Sequence, residues 1–76
     1  MNRKEAISIL KEMMTVCGSF YDSQSVSIAK DKANDGWELH VYSVPHPSEI
    51  ACLEKIVAKS NLEMIISNGK IVFRSL

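Results

Sequence analysis

The chain has 76 residues, 46% of them hydrophobic and 24% charged, with nine Lys and Arg against nine Asp and Glu. That length holds one domain spanning residues 1–76, and the composition excludes a disordered chain. Balanced charge excludes a global field drawing the chain to nucleic acid or anionic lipid, so either partner would need a local patch.

The opening stretch MNRKEAISILKEMM lacks the long apolar core of an export signal, because Lys11 and Glu12 interrupt it. No apolar run approaches the roughly 20 residues of a membrane span. A cytoplasmic protein with reduced thiols is therefore expected. Cys17 and Cys52 are the only cysteines and form no CxxC pair, so neither a disulfide framework nor a zinc knuckle is predicted.

Residues 3–17 repeat apolar side chains at helical spacing: Ile7, Leu10, Met14 and Cys17, flanked by Ala6 and Met13. Asn2 followed three residues later by Glu5 reads as a capping box, and Gly18 as a left-handed stop. A loop carrying Phe20 and Tyr21 follows, with one aromatic expected under the helix end. QSVSIAK then alternates, with Val26 and Ile28 on one face, and WELHVYSV alternates again, with Trp37, Leu39 and Val41 on the same face. A four-residue loop over 33–36 would pair Lys32 with Trp37 and Ile28 with Val41, aligning both apolar faces.

The prolines of VPHPSE end that strand and start a second helix, whose stripe is Ile50, Leu53, Ile56 and Val57, ending near Ser60 and Asn61. In NLEMIISNGKIVFRSL, the Asn68-Gly69 pair between two β-rich runs marks a tight hairpin. Its register pairs Ser67 with Lys70, Ile66 with Ile71, Met64 with Phe73 and Leu62 with Ser75. Ile65 then faces Val72, and Glu63 faces Arg74.

The predicted order is αββαββ: an α+β two-layer sandwich with two helices on one face of a four-stranded antiparallel sheet. A right-handed crossover from the second strand to the third leaves a gap that the fourth fills, so the spatial order is third, fourth, second, first. This arrangement resembles the ferredoxin-like split βαβ topology, circularly permuted so that its starting strand lies at the C-terminus. The resemblance covers the whole chain, rests on topology and implies no function. The two halves also share an αββ outline, with Ile7, Leu10 and Met14 echoed by Ile50, Leu53 and Val57, and turn glycines at Gly36 and Gly69.

Function is sought on the sheet face turned away from the helices, which in this register carries Glu38, His40, Tyr42, Glu63, Ile65, Lys70, Val72 and Arg74. Such a face can simply meet water. Its apolar strip of Ile65, Val72 and Tyr42 suits a protein interface, most simply a homodimer stacking two sheets. A small-molecule or single-stranded nucleic-acid site on the same face is the alternative; Tyr42, Lys70 and Arg74 favour a nucleic acid, and Glu38 and Glu63 oppose it. Cys17, His40, His46 and Cys52 are zinc-ligand types, but their spacing fits no knuckle. Cys52 and His46 lack a third group for a nucleophile–base arrangement. SNGK and NDGW are turns that open no helix and so cradle no phosphate. The expectation is a non-catalytic protein-interaction or oligomerising module with no cofactor, no metal and no membrane partner.

Overall fold

Asn2 starts the first helix as its spacing from Glu5 predicts. Its side-chain Oδ1 accepts from the Glu5 N–H at 2.8 Å, and its own N–H donates to Glu5 Oε1 at 3.3 Å. Two of the four orphan N–H groups of a helix start are thereby satisfied. In the computed structural model, which describes residues 1–20, 26–31, 36–43 and 46–76, this helix is α1, Arg3–Cys17. Gly18 ends it in the left-handed region, with its N–H donating to the Met13 carbonyl.

Strands β1 (Val26–Asp31) and β2 (Gly36–Val41) follow, then α2 (Pro47–Lys59), β3 (Leu62–Ser67) and β4 (Lys70–Ser75). The sheet is antiparallel in the order β1-β2-β4-β3, as the crossover rule predicts. The β3–β4 hairpin has the predicted register at every pair from Leu62–Ser75 to Ser67–Lys70. Both turn residues take positive φ, +49° at Asn68 and +73° at Gly69, as the twist-matched two-residue turn requires.

The β1–β2 register differs from the prediction by two residues. Val26 pairs with Val41, Ile28 with Leu39 and Lys30 with Trp37, and the ladder closes at Asp31–Gly36. Gly36 is thus the first residue of a strand and not a turn glycine. A two-residue slip leaves every side chain on its predicted face, because the strand period is two. The expected Lys32–Trp37 pairing is overturned with it, since Trp37 faces Lys30; Lys32 itself lies outside the described residues, as do Tyr21, Ser25, Val44 and Pro45.

Met13, Phe20, Leu39, Val41, Leu53, Ile56, Ile71 and Phe73 form the core cluster between helices and sheet. The buried edge of α1 runs through Ala6 and Met13 and not through Ile7 and Met14, which are half-buried. The stripe is turned by about one position, because α1 must face both the sheet and α2. Trp37, expected in the core, is only half-buried near the end of the sheet. Its N–H donates to the Met1 carbonyl at 2.9 Å, and the Met1 nitrogen donates to Ser75 Oγ. Met1 therefore links β2 and β4 beyond their last paired residues, a role no periodicity in the sequence signals.

Two contacts tie the helices together and show that they run antiparallel. Glu12 of α1 accepts from Lys59 at the end of α2, at 2.6 Å. Cys17 at the end of α1 meets Cys52 in the first half of α2, with Cα atoms 5.7 Å apart, and the two form a disulfide. This overturns the expectation of free, reduced thiols. Each cysteine lies beside an apolar stripe, as predicted, but the docking of the two stripes brings the sulfurs together. Closing a 35-residue separation removes chain entropy from the unfolded state worth about 4 kcal/mol. A domain of this size has a total stability of about 4 to 11 kcal/mol, so the bridge is a large fraction of it.

An added Cβ at Gly69 would meet nothing within 4 Å, so any cost there is backbone strain alone. Gly69→Ala is expected to lose about 1–2 kcal/mol, the left-handed penalty for an L-residue. Urea unfolding of the two chains checks this; an unchanged midpoint would show that the turn relaxes freely.

Candidate functional site

The face opposite the helices is set by alternation. Leu39, Val41, Ile71 and Phe73 are fully buried, so their neighbours Glu38, His40, Lys70, Val72 and Arg74 point away from the core. Glu63 and Ile65 do the same on β3, directly across from Arg74 and Val72. Tyr42 lies one residue past the end of β2 and is 53% exposed. The structure brings all eight predicted residues onto one surface, in three rows that run across the strands.

The middle row is Ser27, His40, Val72 and Ile65, one residue from each strand, with His40 paired to Val72 and Val72 to Ile65. Val72 and Ile65 are half-buried and form its apolar end.

Beside it runs a charged row. His40 Nε2 lies 3.0 Å from Glu38 Oε1, linking the middle row to this one. Arg74 sits between two carboxylates, with Nη1 3.8 Å from Glu38 Oε2 and Nε donating to Glu63 Oε2 at 3.1 Å. The Glu38 and His40 side chains are each only 16% exposed, although they stand on the open side of the sheet. Mutual packing shields them from water.

On the other side of the middle row, Lys70 Nζ stands 5.8 Å from the centre of the Tyr42 ring, a cation–π contact. The Tyr42 ring in turn lies 6.4 Å from that of His40, tilted by 42°. The middle row, apolar at its Val72–Ile65 end, is thus bordered by a charge network and by an aromatic–lysine pair.

The remaining candidates are not assembled. His46 is exposed at the N-cap of α2 and makes no side-chain capping bond. Both sulfurs are taken up in the disulfide, so Cys52 cannot act as a thiol nucleophile in this state, and neither cysteine is available as a thiolate ligand. Among the described residues, no three His, Cys, Asp or Glu side chains are placed to hold a metal ion. No helix among them is long and apolar enough to cross a membrane.

A concavity of about 290 Å³ opens between α1 and β1. It is lined by Arg3, Leu10, Met14, Phe20, Val26, Ser27 and Ile28. Sequence reasoning missed it, because it lies where the flank of α1 overhangs an edge strand and no motif marks that juncture.

The chain matches no protein-family model, no curated protein and no solved structure.

Removing Arg74 would leave Glu38 and Glu63, on the two strands that flank β4, without their shared cation. Arg74→Met is expected to cost about 1 kcal/mol at low ionic strength, and less in high salt, where like-charge repulsion is screened. Denaturant titrations at two salt concentrations check this; a loss independent of salt would point to packing of the arginine stem instead.

Proposed function

We propose that the chain is a small, non-catalytic cytoplasmic association module that pairs with a second copy of itself by stacking the two open sheet faces. The observation carrying this reading is the directly opposed Ile65–Val72 pair, at the β3 side of the face and flanked by charged groups. An apolar patch flanked by polar groups is common in protein interfaces. Rim charges in both signs, Glu38 and Glu63 with Arg74, let a two-fold axis place unlike charges opposite one another.

The size of the face bears on strength. Four strands about 4.8 Å apart and six residues long at about 3.3 Å each span roughly 20 Å by 20 Å. Two such faces bury an area at the low end of specific interfaces. Apolar burial contributes about 25 cal/mol for each Å² removed from water, before the cost of association. The expected dimer is weak and concentration-dependent.

A small-molecule or single-stranded nucleic-acid site on this face is less well supported. Lys70 is engaged with the Tyr42 ring, and Arg74 is engaged by Glu63 and Glu38, so both cations would have to leave partners to meet phosphate. As to fold, we read the strand order as the permuted ferredoxin-like arrangement and the two halves as an αββ duplication. Met13 and Ile56, both buried, sit at equivalent helix positions in that reading.

Val72→Lys tests the interface, since the side chain points away from the core. Sedimentation should show a concentration-dependent dimer for the parent chain and a folded monomer for the variant. An unfolded variant would invert the assignment of faces, and a parent that stays monomeric at millimolar concentration would remove self-association.

A further inference from the structure

Between α1 and β1 the chain leaves through Gly18, an ordinary helix stop, and then through Ser19 and Phe20, where unfavourable features gather. Phe20 has φ +62°, a left-handed conformation that a bulky side chain adopts only when its surroundings enforce it. Ser19 is 1% exposed, and its hydroxyl has no hydrogen-bond partner among the described residues. The N–H groups of Gly18 and Ser19 share one acceptor, the Met13 carbonyl, and Ser19 reaches it at 3.4 Å. What Phe20 gains in return is its ring, 9% exposed and edge-on to Phe73 with centroids 6.3 Å apart. The residue immediately before this segment is Cys17, bonded to Cys52.

We propose that Cys17–Cys52 is a thiol–disulfide exchange site, and that its reduction by a dithiol releases the α1 exit and undocks Phe20 from the core. Both cysteines are half-buried and not sealed in the core, so the bond is within reach of a small dithiol or a dithiol protein. Cys17 is the last residue of α1, where the helix dipole disfavours a developing thiolate, whereas Cys52 lies nearer the positive end of α2. The reductant's thiolate therefore attacks Cys17 Sγ, forming a mixed disulfide and expelling Cys52 as a thiolate, which takes a proton from solvent. The reductant's second thiol then displaces Cys17. Two electrons pass to the protein, leaving two thiols and an oxidised dithiol.

Without the bond, the last turn of α1 is free to unwind. Unwinding exposes the Ser19 hydroxyl to water and relaxes Phe20 to a negative φ. Phe20 borders the concavity beside Leu10, Met14, Val26 and Ile28, so its departure widens an apolar opening next to the edge strand. The sheet has support besides the bridge: its Leu39, Val41 and Ile71 are fully buried, as is Leu53 of α2, and the Glu12–Lys59 contact also joins the helices. In the cytoplasm, where glutathione and thioredoxin systems keep thiols reduced, such a bond would be transient and responsive.

Nuclear magnetic resonance of the oxidised chain should show contact between the Phe20 and Phe73 rings. Excess dithiothreitol, with two thiols per chain counted by a chromogenic reagent, should abolish that contact. The Leu39–Phe73 and Ile65–Val72 cross-strand contacts should persist, and reoxidation should restore the ring contact. A Cys17→Ser/Cys52→Ser chain should lack the ring contact from the start and ignore the reductant. Three results would overturn the proposal: a bond that resists dithiothreitol in the folded chain, a Phe20–Phe73 contact that survives reduction, or loss of all cross-strand contacts together. The last would make the bridge a staple for the whole fold and not a local release.

Discussion

Everything in this fold depends on the last strand occupying the middle of the sheet. β4 hydrogen-bonds to β2 on one side and β3 on the other, and its Ile71 and Phe73 are both fully buried. Until those two side chains are in place, the apolar faces of β2 and β3 have no common neighbour, and neither helix has a complete surface to cover. The β3–β4 partnership is local and set by a two-residue turn. The β2–β4 partnership joins segments about thirty residues apart and extends over only three pairs, from Leu39–Phe73 to Val41–Ile71. That short, non-local seam is where the two halves of the chain meet, and Met1 reinforces its end through Trp37 and Ser75.

The helix layer obeys a related constraint. A 76-residue chain buries a modest fraction of its surface, about 60%, and small domains often add a covalent tie. Here the tie runs between the two helices and not through the sheet, so it fixes the layer with fewer main-chain hydrogen bonds to its neighbours. It also sits directly before the least comfortable residues in the described structure, Ser19 and Phe20. Stability and strain are thus placed side by side, and a change in the bond acts first on the segment with the most to gain from moving.

The opposite face is built on a different principle. Neither α1 nor α2 covers it, and its side chains satisfy one another laterally: Glu38 with His40 and Arg74, Arg74 with Glu63, Lys70 with Tyr42. Such lateral pairing lowers the cost of placing a second surface on top, because fewer polar groups must be stripped of water without a partner. It also leaves the Ile65–Val72 pair as the feature that water serves least well.

Much of this was legible in the residues themselves. The capping box at Asn2 and Glu5, the Gly18 stop, the Asn68-Gly69 turn and its full register follow from local chemistry, where a few adjacent residues decide the conformation. The alternation that separates Leu39 and Phe73 from His40 and Val72 is equally local. The β1–β2 register was not legible, because a slip of two residues preserves every inward and outward side chain, and only the placement of the loop distinguishes the alternatives. Nor was the rotation of α1 toward Ala6 and Met13, which depends on sharing its surface between sheet and α2. The Cys17–Cys52 bond lay furthest from reach. Each cysteine by itself is a small hydrophobe beside an apolar stripe, and only the antiparallel docking of two helices, 35 residues apart in sequence, brings their sulfurs to bonding distance.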